Sequence, residues 1–135
     1  MRHAYLSSLV VGVGLMLAAV PAMSHHSAAV AYHVDREITV RGVVTDVKWE
    51  NPHTWVYLDA MDANGKVVKW SFEGAVPNQL VRRGVTPAVL KPGVELTIKA
   101  HPSRDASRTI GEMLEVLTAD GKSIHTVEGN SGSRM

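Results

Sequence analysis

The chain has no cysteine, a single phenylalanine and a formal net charge of only +1. Without thiols there are no disulfides and no thiolate metal sites, so stability rests on packing and any metal ligation falls to nitrogen and oxygen. The small charge excess argues against nucleic acid as a partner, because its binders present a basic face or stripe. Long hydrophobic runs are scarce too. The one present, Leu6 to Val20, is about 15 residues and carries Gly12 and Gly14, short of the roughly 20 that span a bilayer. Catalytic signatures are missing as well: there is no Gly-x-Ser-x-Gly, no His-Glu-x-x-His and no phosphate-cradling glycine loop. A non-enzymatic role is the expectation.

What is present begins with a leader. Met1, Arg2 and His3 precede the apolar run, and Pro21, Ala22, Met23 and Ser24 follow it. This order of charged, apolar and small residues predicts a cleaved signal peptide over 1–24. The protein is then expected to be periplasmic or secreted, with no stable membrane anchor after cleavage. The part beyond Ser24 holds 13 basic and 13 acidic residues, so its charges cancel. It is long enough for one domain, 25–128, with a polar, disordered tail at 129–135.

After an alanine-rich lead from Ser27 to Ala31 the sequence is a succession of β-prone runs separated by turn residues. The first, Glu37 to Trp49, switches its apolar parity near Gly42, as a long strand does when it bends at a glycine or bulge. His53 to Ala60 and Lys66 to Glu73 alternate at period two, with Val56, Leu58, Val68, Trp70 and Phe72 on core faces. Between them, Asn64-Gly65 is read as supplying the positive φ angles of a tight hairpin turn. Pro77, Leu80, Val81 and Gly84 predict a short helix, with Arg82 and Arg83 at its solvated end. Thr86-Pro87 opens one more turn, ended by Lys91-Pro92-Gly93. Strands are then expected at Val94 to Ala100 and Ile110 to Thr118, joined by the polar loop Pro102 to Arg108. Asp120-Gly121 turns into a short run around Ile124. The expected fold is mainly β, a small OB-like five-stranded barrel with one short helix between strands 3 and 4.

Histidine is the informative residue, since six of the seven lie beyond the leader. His25 and His26 stand at the predicted cut. Cleavage after Ser24 leaves His25-His26-Ser27, whose free amine and first imidazole can chelate together. Cleavage after Ala22 leaves Met23-Ser24-His25, an amine with histidine third, which suits square-planar Cu(II) or Ni(II). The second feature is Glu50-Asn51-Pro52-His53 between Trp49 and Trp55, where Pro52 restricts Asn51 and presents His53 at a fixed place. His101 borders the strand 4 to 5 loop, on the side of the barrel where the 50–52 loop also lies. His33 and His125 carry no such argument. Trp49, Trp55 and Trp70 read as core and rim residues before they read as a ligand platform.

His25-His26-Ser27, Gly42-Val43-Val44, Asn51-Pro52-His53-Thr54-Trp55, Trp70, Glu73, Pro77-Asn78, Arg82-Arg83-Gly84 and Leu90-Lys91-Pro92-Gly93 together resemble an uncharacterised family of small exported bacterial proteins. The resemblance spans essentially the whole chain beyond the leader. It implies compartment and fold, and it implies no activity. Two departures stand out: Val85 occupies a place where tryptophan is usual, and Ala28 and Ala29 replace a bulkier residue.

These residues predict a transition-metal binder, copper first, through His25, His26 and His53, with Trp49, Asn51, Trp55 and His101 as further candidates for binding. Two alternatives stand beside it. One is a non-metal module taking a small molecule or protein through Trp49, Trp55, Arg82 and Arg83. The other is an accessory subunit of an exported oxidoreductase.

Overall fold

A computed structural model of the chain describes residues 27–127. The expected leader, His25, His26 and the 129–135 tail lie outside the described residues. The elements run α1 (Ser27–Ala31), β1 (Ile38–Lys48), β2 (Thr54–Met61), β3 (Val67–Gly74), α2 (Pro77–Arg82), β4 (Glu95–Pro102), β5 (Ile110–Thr118) and β6 (Ser123–His125). The strand order is β3-β2-β1-β4-β5-β6, and β3 also pairs with β5. That last pairing closes five strands into a barrel of OB-type order, with β6 added at the outer edge of β5. The closure is parallel and short, joining Ser71 to Ile110, Phe72 to Gly111 and Glu73 to Glu112.

Period-two alternation places the core as expected along β2 and β3. Val56, Leu58 and Phe72 are fully buried, while Trp70 is half-buried and stacks on Phe72 with ring centroids 5.6 Å apart. Pro77 opens α2 at a position that needs no N–H donor, and Leu80 turns into the core. Gly84 follows at φ +97°, and the Val85 N–H reaches back to Leu80 O at 2.9 Å, closing the helix end. Val85 itself is fully buried beside Leu80 and Leu90.

Several expectations are corrected. The expected helix between β3 and β4 is present as α2, and the alanine-rich lead adds a second short helix, α1. The parity switch in β1 is at Thr45, where the register with β2 slips between Val44 and Asp46; Gly42 keeps the inward parity of Val40 and Val44. In the β2–β3 turn only Gly65 has positive φ, at +78°. Asp62 holds a longer turn instead, its Oδ1 accepting from the Asn64 and Lys66 N–H groups at 2.9 Å each, so Asn64 needs no left-handed backbone. Arg83 is not a solvated helix end, because it is half-buried and donates to Val127 O at 3.2 Å.

Thr54 is fully buried, and its Oγ1 has no hydrogen-bond partner among the described residues. A buried hydroxyl left without a partner costs stability that an isosteric methyl does not. Thr54→Val is therefore expected to stabilise the domain by about 1 kcal/mol, read as a higher urea midpoint at unchanged slope. A lowered midpoint would mean that the hydroxyl is satisfied in solution.

Candidate functional site

Alternation along the closing strands decides which side chains meet outside the barrel. With Phe72 and Gly74 buried, Glu73 faces outward from β3; with Gly111 and Met113 buried, Glu112 faces outward from β5. The register makes Glu73 a neighbour of Trp55 on one side and of Glu112 on the other, and Glu112 a neighbour of His101. A row Trp55, Glu73, Glu112, His101 thus crosses four strands on the outer face of the seam.

Two adjacent carboxylates repel unless each has donors. Glu73 Oε2 accepts from the Tyr32 hydroxyl, and His53 Nδ1 lies 3.4 Å from its Oε1. Glu112 Oε2 lies 2.9 Å from His101 Nδ1. Tyr32 is brought there by the α1 strap. Its N–H closes α1 onto Ala28 O, His33 N–H donates to Pro102 O, and Arg104 N–H donates to Ala31 O, at 2.8, 2.8 and 2.9 Å. Burial first, and then the Glu73 bond and carboxylate charge, push the Tyr32 phenol well above the ordinary tyrosine range.

A cavity of about 280 Å³ opens here, lined by Ala28, Ala31, Tyr32, His53, Glu73 and Glu112 among others. Its chemistry is that of a cation or polar-ligand site: two carboxylates, a half-exposed imidazole and a phenol donor. Among the described residues no group of three or more His, Cys, Asp or Glu is arranged to hold a metal. His53 and His101 reach the same outer row, but each is tied to its own carboxylate. Asn51 sits exposed in the 50–52 turn, joined to Pro52 by a cis peptide. Trp49 packs against the core and Trp55 faces outward, half-buried. His33 lies 3.9 Å from Asp35, and exposed His125 pairs in register with Glu115. No helix among the described residues is long and apolar enough to cross a membrane.

Tyr32, Glu73 and Glu112 were not singled out by the site reasoning from sequence. The alternation did carry a signal for the two glutamates, since each stands between inward residues. That they are neighbours depends on the β3–β5 closure, which has no local mark.

The model of a family of unknown function (DUF6152) matches residues 13–112, a span that takes in His25, His26, Tyr32, His53, Glu73 and His101 and ends on Glu112. No curated protein and no solved structure matches the chain.

Proposed function

The chain belongs to this family of unknown function, and from its own residues we propose that it is an exported protein that binds a transition metal, copper first, between its processed N-terminus and His53. One observation carries this reading: Ala28 lines the same cavity as His53 and Glu73. Consecutive Cα atoms are about 3.8 Å apart, so His26 and His25 are tethered two and three residues from that wall. Cleavage after Ser24 would give His25 a free amine, and an amine with its own imidazole makes two nitrogen ligands before His53 adds a third.

The side of His53 that faces Glu73 also supports the reading. Metal-binding histidines usually give their other ring nitrogen to a carboxylate, which fixes the ring and raises its basicity. Here Nδ1 faces Glu73, so Nε2 is the ligating atom and Glu73 a positioning residue. The nitrogen-rich set suits copper, which stands highest in the affinity order for such ligands.

The experiment is a Cu(II) titration of protein beginning at His25, beside the same protein with one added N-terminal Met and beside His53→Ala. One tight equivalent is expected for the first, with each change weakening it at least about tenfold. Equal affinities in all three would overturn the proposal. The mass of protein recovered from the periplasm tests export and the cut together, since cleavage after Ala22 would leave Met23 at the terminus instead.

A further inference from the structure

On the other side of the α1 strap, between it and the loop joining β4 to β5, lies a second cavity of about 330 Å³. Ala31 and Tyr32 form the wall shared with the histidine–carboxylate cavity. Trp55 and Ile110, both outward on their strands, line the groove, and Val30 of the strap forms a side. At 76% exposed, Val30 is the most open of the large hydrophobic residues described. The groove therefore leaves apolar surface facing water where the strap meets the barrel.

The lining also carries cations. Arg104 is pinned by its Nε, which donates to Ala29 O at 2.7 Å, and its terminal nitrogens make no hydrogen bond among the described residues. Arg108 also lines the groove, near Tyr32 and Asp105, and its guanidinium likewise makes no hydrogen bond there. Asp105, the acidic residue in the lining, is turned to its own loop: its Oδ1 accepts from Ser107 Oγ at 2.6 Å and from Ser107 N–H at 3.0 Å. Arg104 and Arg108 thus both line the groove beside its apolar residues, with their terminal nitrogens making no hydrogen bond among the described residues.

The geometry points to a binding site for a small carboxylate with an apolar body, its chain or ring against Trp55, Val30 and Ile110 and its carboxylate across Arg104 and Arg108. A planar fork of donors matches a carboxylate bidentately. The volume falls at the small end of ligand pockets, which suits a body of a few carbons. Inorganic phosphate would engage the arginines and leave Trp55, Val30 and Ile110 wet, so these three apolar surfaces favour the amphipathic ligand.

The test uses metal-free protein in EDTA, so that its result is independent of the copper reading. Hexanoate, hexanamide and inorganic phosphate are titrated separately while tryptophan fluorescence is followed, with Trp55→Leu identifying the reporting ring. Arg108→Gln is the decisive variant, because the Arg108 guanidinium makes no hydrogen bond among the described residues, whereas Arg104 anchors the strap. Hexanoate is expected to saturate a Trp55-dependent signal. Hexanamide and phosphate should each bind at least about tenfold more weakly, and Arg108→Gln should weaken hexanoate about 10- to 100-fold, with Arg108→Lys in between. Equal binding of hexanoate and hexanamide, tighter binding of phosphate, an unaffected Arg108→Gln or the absence of a saturable signal would each overturn the assignment.

Discussion

Gly42→Ala is expected to destabilise the barrel by about 3 kcal/mol, at the upper end for a single added methyl group. The reason is contact with backbone that cannot rotate away. A Cβ at Gly42 would stand 2.5 Å from Asp59 O and 3.0 Å from Asp59 C, so β1 and β2 would have to part where Gly42 pairs with Ala60. The same residue pairs with Leu96 on β4, and parting from one neighbour strains the other. Urea unfolding is the measurement, with a lower midpoint and an unchanged slope expected. A midpoint equal to wild type would mean that the two strands slide apart without cost, contrary to a packed barrel.

Glu73→Gln should have the second large effect, and on two properties at once. The carboxylate accepts from Tyr32 and faces His53; an amide offers one acceptor and sets a donor against one of them. A loss of about 2 kcal/mol in stability is expected from the charged hydrogen bond, and copper affinity should fall about 10- to 100-fold if Glu73 positions His53. Tyr32→Phe separates the two effects, since it removes the phenol and keeps the carboxylate beside His53. It should lower stability and leave copper binding near wild type.

The pH dependence of that pair has a definite sign. Folding raises the Tyr32 pKa, so above the ordinary tyrosine value of about 10 the unfolded chain loses this proton before the folded one does. The stabilisation is complete below that pH and declines as pH rises toward the folded value. Tyr32→Phe should therefore show a shallower alkaline loss of stability than wild type. Parallel alkaline slopes in the two proteins would remove Tyr32 as the cause.

Much of the barrel was legible because its signals are local. Val56, Leu58 and Phe72 alternate within single strands, and Pro77 and Gly84 bracket α2. The strand order followed from the succession of those runs. What the residues could not announce were pairings made at a distance. Glu73 and Glu112 lie in separate runs, and only the parallel closure sets them side by side. Tyr32 sits just past five residues whose helical state depends on docking against the 102–104 segment. His53 was singled out because Pro52 marks its turn, whereas Glu73, which its ring faces, comes from the next strand. The arginine-lined groove has the same origin, since the β3–β5 closure brings Trp55 near Ile110 and Arg108 while the strap adds Val30.

The three-pair closure of β3 on β5 has one more consequence. A barrel escapes the hazard of exposed strand edges only while its seam holds, and unpaired edges recruit strands from other molecules. Were this seam to part, the freed edges of β3 and β5 would be open to the matching strands of a second copy, which would set Glu73 beside Glu112 just as the closed barrel does. Holding the seam shut falls partly to the α1 strap, whose Tyr32 hydroxyl donates to Glu73 on β3 while its Ala31 carbonyl accepts from the Arg104 N–H just past β4, so loss of the strap would bare the seam to a neighbour.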